Sequence, residues 1–177
     1  MDARQSLAKL KAGNAKYLTA TTNPGNISVS IRKQTATEGQ TPYAVIICCS
    51  DSRVVPEAIF STGIGELFVI RVAGNVIDNT ELGSIEYAVG HLHTPLVVLL
   101  GHTQCGAIAT ALSGHADGHA LSLVDKIHLG IGEEKDPTAA SKLNVLYGID
   151  VIKKLSHVHA EVVGALYHVD TGSVEWL

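Results

Sequence analysis

The sequence predicts an α/β fold: a mainly parallel β-sheet flanked by helices, with an antiparallel strand at its C-terminal edge. Two observations lead there. The segments Tyr43–Cys48 and Pro95–Leu100 are apolar at every position, as a strand covered on both faces requires. Such segments alternate with longer stretches of helical periodicity, and that alternation is the mark of parallel crossovers. Length sets the scale, because 177 residues with 46% apolar content suit one domain and a single core. Residues 1–177 are therefore read as one domain, with an N-terminal helical arm up to about residue 40.

Taken in order, Asp2 can cap a helix in which Leu7, Leu10, Tyr17 and Leu18 recur at helical spacing. Asn23-Pro24-Gly25 breaks it, and a short helix follows over Ile31–Glu38. Thr41-Pro42 opens the first strand. Pro56–Phe60 suits a helical turn, Leu67–Val72 a strand and Thr80–His91 a helix. After the strand ending at Leu100 a helix is expected from about Cys105 to Leu112. Gly114–Gly132, rich in glycine and histidine, has no assignment. Ala139–Leu155 reads as a long helix with Leu143, Leu146, Ile149 and Ile152 on one face. Glu161–Val169 is the last long strand, and Asp170-Thr171-Gly172 turns it into a short terminal one.

Composition narrows the function classes. A net charge of −4 and the absence of any run of like charges exclude a basic footprint for nucleic acid or an anionic membrane. The first residues lack the apolar core of a signal peptide, and Leu96–Leu100 is far shorter than the ~20 residues of a membrane span. A soluble, cytoplasmic protein is expected. Charged residues are only 17%, and a shortage of charge points to a buried subunit interface. The apolar stripe of the first helix points the same way. Three cysteines in a reducing compartment favour metal binding or catalysis over disulfides.

Two clusters of reactive residues each follow an apolar strand: Cys49-Ser50-Asp51-Ser52-Arg53 and Gly101-His102-Thr103-Gln104-Cys105-Gly106-Ala107. The carboxyl ends of parallel strands are where ligands bind, so the two clusters can converge. Residues two apart in an extended chain share a face, which groups Cys49 with Asp51 and Arg53 and turns Cys48 toward the core. Cys105 sits where a helix begins, and its thiolate gains from the helix dipole and free N–H groups. Cys49, His102 and Cys105 supply two soft sulfurs and an imidazole, a set suited to tetrahedral zinc. Three protein ligands leave a fourth position for water or an exchangeable carboxylate, with Asp51 the obvious occupant.

At these residues the chain resembles the β-carbonic anhydrase family. Cys-Ser-Asp-Ser-Arg-Val at 49–54 with Pro56-Glu57 matches its first zinc motif, and Gly-His-Thr-Gln-Cys-Gly-Ala at 101–107 its second. Arg71–Asn75, Gly83–Val89, Gly164–Tyr167 and Thr171–Val174 resemble further family blocks. The resemblance implies one zinc per chain on Cys49, His102 and Cys105, with Asp51 and Arg53 as the catalytic dyad and Asp51 a fourth ligand in a closed state. It implies a substrate pocket drawn from Gln40, Val54, Phe68, Gly74, Asn75, Tyr87 and Gly106, with Gln40 reaching into a partner subunit's site. A homodimer or tetramer follows from it.

The activity implied is reversible hydration of carbon dioxide to bicarbonate and a proton. The alternative on the same site is hydrolysis of carbonyl sulfide or carbon disulfide. A non-catalytic zinc or redox module would have no use for the Asp51–Arg53 dyad. Ile46-Ile47-Cys48 lacks the tryptophan that some family members use for a regulatory bicarbonate site, so that inhibition is not expected. His91, His93, His115, His119 and His128 are candidates for a proton shuttle or second metal site, and solvated loop positions explain them as well.

Overall fold

The computed structural model describes residues 1–23, 25–156 and 158–177. Its centre is a five-stranded sheet in the order β2-β1-β3-β4-β5. The strands are β1 (Ala44–Cys48), β2 (Leu67–Arg71), β3 (Leu96–His102), β4 (Glu161–Tyr167) and β5 (Val174–Trp176). β1 to β4 run parallel, and β5 pairs antiparallel with β4 at the edge. The fold class read from the sequence is the one observed.

The crossovers are helical. α1 (Ala3–Tyr17) and α2 (Val29–Glu38) precede the sheet, followed by α3 (Pro56–Ile59), α4 (Asn79–His91), α5 (Gly106–Ser113), α6 (Ala120–Ile131) and α7 (Pro137–Lys153). Local chemistry starts several of them. Asp2 and Gln5 form a reciprocal capping box on α1, Asp78 and Glu81 another on α4, and Asp136 caps α7 with Pro137 in its first turn.

Side-chain alternation along the central strands builds a core on each face of the sheet. Ala44, Ile46 and Cys48 of β1 join Leu96, Val98 and Leu100 of β3 in one cluster, which α1 covers through Leu10. Val45, Ile47, Val97 and Leu99 point to the other face, under α4 and α7. A third cluster lies beyond the strand ends, where Cys49, Cys105, Val76 and Ile108 meet Val124, Ile127 and Ile131 of α6.

Several expectations need correction. The unassigned stretch contains α6, whose buried residues Val124, Ile127 and Ile131 carry helical spacing. His119 gives it no side-chain cap, so the usual start signal is missing. In α7 the buried face is Ala140, Ser141, Asn144, Val145, Gly148, Ile149 and Ile152, while Leu143 and Leu146 are exposed. A repeat of three residues drifts around a helix of 3.6 residues per turn, so four leucines and isoleucines so spaced cannot share one face. β3 runs two residues past Leu100, making His102 its last residue. The stripe of α1 is used inside the chain: Leu10 is fully buried, and Leu7 and Tyr17 pack on the same cluster. Asn14 ties α1 to the body through bonds to the carbonyls of Ile59 and Gly172 and from the N–H of Val174. That stripe is therefore no argument for a subunit contact. α2 has no buried residue. Among the described residues no helix is long and apolar enough to cross a membrane.

Candidate metal centre

The parallel register brings the two motifs together. β1 and β3 are neighbours, with Cys48 opposite Leu100, so Cys49 and His102 both lie just past that pair at the carboxyl end of the sheet. Cys105 is the N-cap residue of α5, one turn further on. The ligand atoms of Cys49, His102 and Cys105 all lie within 4.8 Å of one another, and all three residues are buried. Among the described residues this is the one grouping of three or more histidine, cysteine or acidic side chains able to hold a metal ion.

The donor chemistry of the three fits such an ion. His102 Nδ1 lies 2.9 Å from the carbonyl oxygen of Thr103. A carbonyl only accepts, so the proton sits on Nδ1 and Nε2 keeps its lone pair. Nε2 is buried and has no hydrogen-bond partner. An orphaned acceptor beside two sulfurs is costly unless a cation satisfies it. The sulfurs tell the same story. The neighbouring Cys105 thiol, with the N–H groups of Asp51 and Gly74, holds Cys49 below the usual thiol range, and the same proximity with burial pushes Cys105 up. Two thiolates this close repel each other, and a divalent cation held between them would offset that repulsion.

Cys48 is different. It is fully buried in the opposite core cluster, and burial pushes its thiol up to about 12.

The loop after β1 is pinned from three sides. The backbone N–H groups of Asp51 and Gly74 point at Cys49 Sγ, at 3.4 and 3.3 Å. Arg71 donates to the carbonyls of Cys49 and Asp51. Arg53 grips Asp51 with two prongs, Nε to Oδ1 at 2.9 Å and a terminal nitrogen to Oδ2 at 2.7 Å, and also reaches the Gln104 carbonyl. That grip holds the Asp51 carboxyl well below the usual carboxylate range. The segment 51–54 is a turn, closed from Val54 N–H to Asp51 O, and not the extended run the two-residue alternation assumed. Asp51 and Arg53 meet through this turn.

A family model described as carbonic anhydrase matches residues 44–174. This chain belongs to the carbonic anhydrase family, in its β class. It is 47% identical over 114 residues to a carbonic anhydrase of Mycolicibacterium smegmatis, covering 64% of this chain and 54% of that protein. It is 50% identical over 109 residues to carbonic anhydrase 2 of Mycobacterium tuberculosis, covering 62% and 52%. The chain spans about half the length of these curated relatives. Among solved structures, a β-carbonic anhydrase of Aspergillus fumigatus superposes with a TM-score of 0.76 at 29% identity, covering 98% of this chain and 89% of that one. A tetrameric β-carbonic anhydrase of Sordaria macrospora gives 0.75 at 26%, covering 98% and 94%.

The pocket residues that the family resemblance implies divide into two groups. Gly74 and Asn75 form a tight turn against Cys49, and an atom added at Gly106 would meet open space beside Cys105. Gln40, Phe68 and Tyr87 are elsewhere. Gln40 is exposed before β1, and Phe68 pairs with Val45, four residues ahead of Cys49. The Phe68 ring lies 6.1 Å from that of Tyr87, which is 48% exposed on α4. Val54 is a correction: it is fully buried in the first core cluster and offers no wall to a substrate. Sequence reasoning missed Arg71 as a clamp on the 49–51 backbone and Thr103 as the group that fixes the His102 tautomer. The strand-end position of Arg71, opposite Cys48, was the available signal. His91, His93, His115, His119 and His128 are all exposed.

Proposed function

We infer that this chain is a zinc-dependent carbonic anhydrase, hydrating carbon dioxide reversibly on Cys49, His102 and Cys105. The observation that carries the reading is the buried, partnerless Nε2 of His102 grouped with the sulfurs of two buried cysteines. Zinc bound there supplies Lewis acidity that brings the pKa of a coordinated water to about 7, making a nucleophile available near neutral pH. The chain's own residues do the rest. Asp51, locked on Arg53, accepts a hydrogen bond from the nucleophile and orients it. The fixed guanidinium keeps that carboxylate charged and in place. The open space at Gly106 leaves room for a small linear substrate.

The site reads as one shared between subunits. Phe68, Tyr87 and Gln40 lie away from their own chain's Cys49, on or near the β2 edge and α4, where a second copy would bring them to its site. Leu67 to Ile70 of that edge strand are only half-buried, which supports a homodimer or larger assembly. A reducing, cytoplasmic setting would keep the two ligand thiols available.

The test is stopped-flow hydration by zinc-loaded protein, with carbonyl sulfide and carbon disulfide as competing substrates and sedimentation at assay concentration. Turnover of carbon dioxide by a species of at least two chains is expected. No hydration would overturn the activity, and full turnover by a monomer would overturn the shared site.

A further inference from the structure

Asn144 is an unusual residue for its place. It lies in the middle of α7 and is 5% exposed, on a face otherwise made of Ala140, Ser141, Val145, Gly148 and Ile149. Asparagine is a poor helix former, and a buried amide is costly unless hydrogen-bonded. Here its Nδ2 donates to the carbonyl oxygen of Gly74 at 2.8 Å, across 70 positions of sequence.

The turn it holds is itself strained. Gly74 and Asn75 are both left-handed, with φ of +69° and +43°. Two such residues in succession persist only where the surroundings fix them. Gly74 is also tightly enclosed, since a Cβ there would come within 2.9 Å of Ile127 Cδ1 and 3.1 Å of Ala107 Cβ. The product of this enforced shape is one contact, the Gly74 N–H directed at Cys49 Sγ at 3.3 Å. The chain of contacts runs from α7 through Asn144 and the Gly74 carbonyl to the Gly74 N–H and the sulfur of a metal ligand.

We propose that Asn144 is a positioning residue for the metal centre, holding the Gly74 turn so that its N–H stays directed at the sulfur of Cys49. The inference rests on the reading of Cys49, His102 and Cys105 as metal ligands. A direct hydrogen-bond partner of a metal ligand typically governs about 10–100-fold in metal affinity, and Asn144 holds such a partner, the Gly74 N–H, in place.

The test uses the full chain loaded with cobalt, read by its thiolate-to-metal absorption band, and with zinc, read by chelator competition. Asn144→Leu and Asn144→Asp, neither able to donate to the Gly74 carbonyl, should each shift the cobalt band and weaken zinc binding by at least about 10-fold. Ser141→Ala, on the same buried face, should leave the band unchanged. Folded Asn144 variants with wild-type band and affinity would overturn the proposal. If neither variant folds, cadmium-113 NMR of the wild type decides, because a hydrogen bond through sulfur couples the metal to the Gly74 amide. Observed coupling supports the arrangement and its absence overturns it. Failure of the wild type to bind cobalt, zinc or cadmium would instead refute the metal site, a separable result.

Discussion

Replacing Cys105 by serine is expected to strip the chain of zinc and to reduce hydration to background. Serine is a harder and far less acidic donor, and the remaining Cys49 and His102 form only two corners of a tetrahedron. The control is Cys48→Ser. Cys48 lies in the core cluster on the other side of β1, with its thiol pushed up to about 12 by burial. That variant should keep one zinc per chain and lose only folding stability, by about 1–3 kcal/mol for a buried hydroxyl without a partner. Metal analysis after gel filtration reads both. Equal loss of zinc in the two variants would remove the distinction between the adjacent cysteines.

Arg53→Ala is expected to leave zinc bound and lower turnover by about 100-fold, the usual size of a misplaced catalytic group. Asp51 has two attractive partners, the guanidinium of Arg53 and the cation, and the structure shows it on the guanidinium. The Arg53 hydrogen bonds are also the largest cause of its lowered pKa. A carboxyl so lowered contributes its pairing fully above the ordinary carboxylate range and loses it only as pH falls through the folded value. At neutral pH the pair is therefore intact, and activity should rise with pH as the nucleophile forms. Without Arg53 the carboxylate would be free to turn toward a bound cation and block the site. Arg53→Lys should restore little, because an ammonium lacks the planar fork seen here. Wild-type turnover in Arg53→Ala at neutral and alkaline pH would contradict this account of the dyad.

What the sequence disclosed follows from how directly each feature is written in local pattern. β1 and β3 were legible because a strand covered on both faces must be apolar throughout, as Ala44–Cys48 and Leu96–Leu100 are. Strand parity turned Cys48 inward and, with the apposition of β1 and β3, brought Cys49 toward His102 and Cys105. Parity failed one step later, since the chain turns at Asp51 and carries Val54 into the core. α6 was hidden by its missing cap and flanking glycines, although Val124, Ile127 and Ile131 had the right spacing. Thr103 and Asn144 were beyond sequence logic altogether, and Arg71 showed only its position at a strand end. Thr103 acts through its own carbonyl, Arg71 and Asn144 act on carbonyls distant in the chain, and backbone groups leave no residue type to read.

The central claim is that two sulfurs and one imidazole hold a zinc ion with a position left open. X-ray absorption at the zinc edge of the loaded chain measures that set directly. The spectrum should show two sulfur neighbours at ~2.3 Å, one imidazole nitrogen at ~2.0–2.1 Å and one further light atom. That light atom should be replaced when a small anionic inhibitor is added. A shell of four sulfur and nitrogen atoms indifferent to inhibitor, or one with no sulfur, would contradict the account.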